Sequence, residues 1–133
     1  MNVHKNFSIL VAEDNVDVQD IITLVMEDLA RDIQISTDFV FNGLEAFKKL
    51  KTKKYDLIIT DLNMPKIDGE ALIEIIKCEG HPSSGTKVLV LAGDPSSVQH
   101  LFSDNLFTLS KPFDAERLRK LTKVILASSA NGQ

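Results

Sequence analysis

Phe7-Ser-Ile-Leu-Val-Ala-Glu-Asp-Asn15 holds the change of pattern on which the fold turns. Residues 7–12 are a short, nearly continuous apolar run that stops at three polar residues, Glu13, Asp14 and Asn15. A strand covered on both faces reads this way, because neither face needs polar side chains. Directly behind it, Val18, Ile21, Ile22, Val25 and Leu29 follow at i, i+3, i+4, i+7 and i+11. That spacing predicts an amphipathic helix with one apolar stripe. Glu27 and Arg31 are spaced to pair at i, i+4 on its outer side.

The alternation recurs along the chain. Residues 33–36 suggest a second short strand, Asn42-Gly43 a turn or cap, and Ala46, Phe47 and Leu50 a second helix. Residues 57–60 form another apolar run, which ends at Asp61. Asp68-Gly69 precedes a helix with Leu72, Ile75 and Ile76 inward, and residues 80–86 have the composition of a loop. Residues 88–92 are a third strong apolar run, followed by a helix start at Asp94-Pro95-Ser96 with Val98, Leu101 and Phe102 behind it. Residues 106–109 suggest a last strand, and Asp114 an N-cap for a last helix carrying Leu118, Leu121 and Ile125. Five strand–helix units in succession predict an α/β fold: a doubly wound, five-stranded parallel sheet of the flavodoxin-like kind, a three-layer (βα)5 sandwich with right-handed crossovers. Residues 1–126 make the domain, and 127–133 read as a short polar C-terminal tail.

Composition narrows the function classes. The chain has 133 residues, of which 44% are hydrophobic and 26% charged, as expected of one globular domain. The single cysteine, Cys78, excludes an internal disulfide framework, and His4, His81 and His100 share no metal-ligand spacing. A net charge of −4 argues against a nucleic-acid surface. No apolar run approaches the ~20 residues that span a bilayer, and residues 1–7 lack a signal-peptide core. A cytoplasmic protein with no membrane contact is the expectation. Lys48, Lys49, Lys51, Lys53 and Lys54 form a basic run that reads as a solvated helix face, with a phosphodonor-docking patch as the alternative.

In open α/β sheets ligands bind beyond the carboxyl ends of the strands. Glu13-Asp14 follow the first apolar run, Asp61 ends the third, and Ser110-Lys111-Pro112 follow the fifth. Three carboxylates and an amine therefore converge on one rim. Adjacent acids repel and call for a cation or raised pKa values. Mg²⁺, or another divalent cation such as Mn²⁺, accepts carboxylates, keeps waters and takes a phosphate oxygen. Lys111 adds a second positive charge for phosphoryl oxygens. The set suits phosphoryl transfer to a carboxylate nucleophile, in which catalysis is positioning and charge neutralisation. Asp61 stands alone at the tip of a central strand and is the candidate nucleophile, while Glu13 and Asp14 sit as a pair, as metal ligands would. Pro65 stiffens the following loop, which can aim the backbone carbonyl of Asn63 at the metal.

The motifs resemble those of the receiver domains of two-component response regulators, the CheY-like superfamily. Val-Ala-Glu-Asp-Asn (11–15) resembles the acidic-pair motif, Asp-Leu-Asn-Met-Pro-Lys-Ile-Asp-Gly (61–69) the phosphoacceptor motif, and Ser-Lys-Pro-Phe (110–113) the lysine motif, whose Lys–Pro bond is typically cis in the family. The resemblance implies that Asp61 accepts a phosphoryl group from a phosphohistidine or a small phosphodonor. It implies that Asp14, Asp61 and the Asn63 carbonyl ligate Mg²⁺, that Glu13 acts partly through water, and that Lys111 pairs with Asp61 or its phosphoryl group. The implied partners are a sensor histidine kinase or a histidine phosphotransfer protein, with the signal leaving by protein contact to a target that the sequence does not identify. Two positions are atypical. Ala92 stands at the end of the fourth strand, where the family usually has Thr or Ser, and Thr108 stands three before the lysine, where it often has an aromatic residue. Phosphorylation with an altered conformational readout is the expectation, and a receiver-like interaction module that works without phosphorylation is the alternative. A haloacid-dehalogenase-type phosphatase would want an Asp where Asn63 stands, and a nucleotide or flavin module would want a Gly-rich loop after the first strand.

Overall fold

The computed structural model describes residues 6–62, 71, 74, 86–94, 96 and 105–132. Its elements, in chain order, are β1 (Asn6–Ala12), α1 (Val16–Leu29), β2 (Gln34–Val40), α2 (Gly43–Thr52), β3 (Leu57–Asp61), β4 (Lys87–Ala92), β5 (Leu106–Ser110) and α3 (Ala115–Gly132). The five strands form one sheet in the order β2-β1-β3-β4-β5, and every pairing is parallel. The doubly wound, flavodoxin-like α/β fold expected from the alternation is the fold observed. Asn63, Cys78, His4, His81 and His100 lie outside the described residues, as do the apolar positions Leu72, Ile75, Ile76, Val98, Leu101 and Phe102.

The continuous apolar runs are explained by two cores, one on each face. Leu57 and Ile59 pack with Ile9, Val11, Leu89 and Leu91 against α1 and α3. Ile58 points the other way and packs with Leu10, Val88, Val90 and Leu50 of α2. Successive strand side chains alternate between faces, so a strand apolar on both serves two helix layers. Leu57, Ile58 and Ile59 are all fully buried. At about 1.5–3 kcal/mol for each large aliphatic side chain removed from water, β3 is a principal source of the sheet's stability.

The helix starts are set by side-chain caps. Asn15 Oδ1 accepts the Val18 N–H at 3.0 Å, Asn42 Oδ1 the Glu45 N–H at 2.8 Å, and Asp114 Oδ1 the Arg117 N–H at 2.8 Å. Each satisfies a backbone donor that the helix itself leaves open.

Three local expectations are corrected. The second strand runs from Gln34 to Val40 rather than stopping at residue 36, because its whole length pairs with β1. Arg31 lies past the last residue of α1 and reaches Asp28 at 4.0 Å instead of Glu27, since beyond Leu29 the chain no longer keeps helical spacing. Residues 127–132, expected as a tail, continue α3. Propagating an existing helix costs far less than nucleating one, and Ala127 and Ala130 favour it. Among the described residues, no helix is long and apolar enough to cross a membrane.

Candidate functional site

β1 has β2 on one side and β3 on the other, so the strand order reverses between β1 and β3. At such a switch point the loops leave in opposite directions and open a cleft above the strand ends. Glu13 and Asp14 follow β1, Asp61 closes β3, and Lys111 follows β5. The Lys111 backbone N–H donates to the Ala92 carbonyl at 2.8 Å, which extends the β4–β5 ladder and turns the lysine side chain towards the central strands. The Lys111–Pro112 peptide bond is cis.

The four side chains meet. Lys111 Nζ lies 3.0 Å from Asp61 Oδ2. Glu13, Asp14 and Asp61 each offer a carboxylate oxygen within 4.8 Å of the others. Asp14 is exposed, Asp61 is 7% exposed, and Glu13 is fully buried. The cluster is thus open on the Asp14 side and closed beneath Glu13.

The Glu13 carboxyl is strongly perturbed by its surroundings. Burial pushes its carboxyl from an ordinary 4.5 up to about 7. The negative charges of Asp61 and Asp14 push the same way, while the Asn15 N–H and Lys111 oppose them. The Asn15 N–H donates to Glu13 Oε2 at 3.0 Å, but Glu13 Oε1 has no hydrogen-bond partner among the described residues. An oxygen this deeply buried without a donor is costly unless another group satisfies it. Three hard carboxylate oxygens, one of them buried and unsatisfied, form a donor set that fits Mg²⁺ or Mn²⁺ and is poorly suited to softer metals.

Two residues outside the sequence candidates support the site. Asn15 caps α1 with its side chain and holds Glu13 with its backbone. Gln19, one turn into α1, donates its side-chain amide to the Glu13 carbonyl oxygen. The spacing of a cap residue directly after the acidic pair was the available signal, and the positive end of α1 beside the acids is its consequence. An apolar cavity of about 440 Å³ adjoins the rim, lined by Val18, Ile21, Pro112 and Phe113 with Asn15 and Lys111 at its edge.

The atypical positions lie where the sequence puts them. Ala92 ends β4 and is buried, with Ser110 as its register partner. Thr108 sits mid-β5, half-buried opposite Val90. Asn63, the remaining candidate, is outside the described residues.

A family model for the response regulator receiver domain matches residues 9–123. The chain is 31% identical over 130 residues to the alkaline phosphatase synthesis transcriptional regulatory protein PhoP of Bacillus subtilis, covering 93% of this chain and 50% of that one. It is 31% identical over 120 residues to hybrid signal transduction histidine kinase G of Dictyostelium discoideum, covering 86% of this chain and 3% of that one. The chain therefore spans about half the length, or less, of the curated relatives it matches. Among solved structures, the receiver domain of a sensor histidine kinase from Pseudomonas aeruginosa PAO1, with a magnesium ion coordinated in its active-site cleft, superposes with a TM-score of 0.77. That match has 21% identity and covers 93% of this chain and 100% of the other. A switch-point cleft of three acids and a lysine, on this strand order and under this family match, makes the chain a member of the response regulator receiver domains of two-component signalling.

Proposed function

We propose that the chain is the phosphoacceptor of a two-component or phosphorelay pathway and that Asp61 carries the phosphoryl group. The observation that supports this best is the 3.0 Å approach of Lys111 Nζ to Asp61 Oδ2 beside two further acids. A carboxylate oxygen of Asp61 bonds to phosphorus as the N–P bond of a phosphohistidine breaks. The electron pair leaves with the imidazole nitrogen, and an acyl phosphate remains on Asp61. Lys111 holds its ammonium against the incoming phosphoryl oxygens, so that charge gained by one side chain is balanced by its neighbour.

Glu13, Asp14, Asp61 and the backbone carbonyl of Asn63 would hold Mg²⁺, or another divalent cation such as Mn²⁺. When bound, such an ion neutralises the acids and the phosphoryl oxygens and so lets an anion approach an anion. Glu13 supplies the unsatisfied buried oxygen at the floor of the cluster, and Asn15 and Gln19 keep that residue in place. The phosphoryl source is a sensor histidine kinase or a histidine phosphotransfer protein, in the cytoplasm, and the signal leaves by protein–protein contact. The chain is consumed and regenerated as a signalling partner rather than turning over an external substrate.

Incubation with acetyl phosphate, with and without Mg²⁺, followed by phosphate-affinity electrophoresis, tests the proposal. Wild-type chain should give a retarded band only with the metal, and Asp61→Asn should give none. A wild-type chain that stays unretarded with Mg²⁺, or a band that survives in Asp61→Asn, overturns it.

A further inference from the structure

The described surface carries a second feature that the phosphoacceptor chemistry does not use. Where β2 passes into α2, a groove of about 420 Å³ opens between Phe39, Val40 and Phe41 on one side and Lys48 and Lys49 on the other. Phe41 is 53% exposed, one of the largest apolar side chains left in water among the described residues. Its backbone is tied to the start of α2. The Phe41 backbone N–H donates to Glu45 Oε1 at 2.8 Å, and the next residue, Asn42, caps α2. These bonds tie the backbone that carries the ring to the helix start, which lowers the backbone entropy lost on binding.

The charges around the ring are predominantly positive. Five lysines fall within residues 48–54 of a chain whose net charge is −4. Lys53 is taken up by Asp38 at 3.0 Å, and Lys51 lies over the Phe47 ring at 5.1 Å. Lys48 and Lys49, both exposed, are left facing the groove, and neither forms an ion pair among the described residues. The one acid lining the groove, Glu45, has a carboxylate oxygen occupied by the Phe41 N–H. Two lysines against one glutamate leave the rim of this apolar slot net positive, the complement of an apolar side chain flanked by carboxylates.

We propose that this groove docks an acidic peptide segment of a partner protein, with one large apolar side chain against Phe39 and Phe41 and its carboxylates on Lys48 and Lys49. The groove lies on β2 and α2, away from Lys111, so docking does not depend on the phosphoacceptor reading. It does meet the acidic cluster through one backbone bond, Glu13 N–H to the Val40 carbonyl at 3.1 Å.

The test uses the full chain and three fluorescein-labelled peptides, each with a central Phe: one flanked by Asp and Glu, one by Asn and Gln, and one by Lys. Anisotropy titrations should show saturable binding of the acidic peptide, about tenfold weaker binding of the neutral one and none of the basic one. Lys48→Glu/Lys49→Glu should abolish acidic-peptide binding, and Phe41→Ala should weaken it about tenfold with an unchanged circular dichroism spectrum. Amide shifts in ¹H–¹⁵N spectra should centre on Phe41, Lys48 and Lys49. Equal binding of the three peptides, no saturable binding, or shifts centred elsewhere would overturn the proposal. So would a concentration-dependent dimer in sedimentation that is lost in Phe41→Ala, which would give the groove to a second copy of the chain. Failure here leaves phosphorylation of Asp61 unaffected, so the two readings fail separately.

Discussion

Glu13→Gln is expected to stabilise the metal-free protein at and above neutral pH and to leave it unchanged in acid. The Glu13 carboxyl is fully buried and rises from an ordinary 4.5 to about 7 on folding, chiefly through burial. Between those values the folded state holds a proton that the unfolded state releases. The contribution of the protonated form is fully present below 4.5 and is lost as the pH rises through 7. At roughly 1.4 kcal/mol per pH unit, that interval amounts to about 3 kcal/mol. A glutamine keeps an acceptor for the Asn15 N–H and carries donors that the neighbouring carboxylate oxygens, within 4.8 Å, can accept. Urea unfolding of both proteins in EDTA, over a series of pH values spanning 4.5 to 7, reads the effect. The variant's midpoint should exceed that of wild type by about 1–2 M urea at the alkaline end, and the difference should shrink to zero at the acidic end. A difference that is flat across this range would overturn this reading of Glu13, because the groups common to both proteins cancel in the difference.

Further outcomes follow from the core, the caps and one polar clasp. Leu89→Ala, in the interior strand β4 and fully buried, should cost about 2–5 kcal/mol in chemical unfolding. Asn42→Ala removes the acceptor of the Glu45 N–H and should cost about 1 kcal/mol in the same assay. The Tyr55 hydroxyl, donating at 2.7 Å, and then Lys53 hold the Asp38 carboxyl below its ordinary 3.8. Its contribution is present above 3.8 and disappears as the pH falls through the lowered value, so Asp38→Asn should make the acid limb of a circular dichroism titration shallower.

The parts of the fold written in a single local pattern were readable from the sequence. The apolar runs that became β1, β3 and β4, the stripe of α1, and the caps Asn42 and Asp114 each express burial or hydrogen bonding within a few residues. What sequence could not supply depends on partners distant along the chain. The length of β2 is set by its ladder with β1, since its own residues are only half-buried. The Asp38–Tyr55–Lys53 clasp joins residues brought together by the sheet, and no spacing announces it. The convergence of Glu13, Asp14, Asp61 and Lys111 was legible because each lies at or just past the carboxyl end of a strand of one parallel sheet, which brings their side chains to one rim whatever their separation. The supporting roles of Asn15 and Gln19 were not legible because these residues act on the Glu13 carboxylate and backbone from a helix start, where polar residues are ordinary.

Whether Asp61 is the phosphoacceptor is decided by locating the phosphoryl group chemically. After incubation with Mg²⁺ and acetyl phosphate, borohydride reduction converts an aspartyl phosphate to homoserine, and tandem mass spectrometry of the digested chain finds the converted residue. Homoserine is expected at Asp61, dependent on the metal and strongly reduced in Lys111→Ala. Conversion at Asp14 or at any other carboxylate, or none with the metal present, would contradict it.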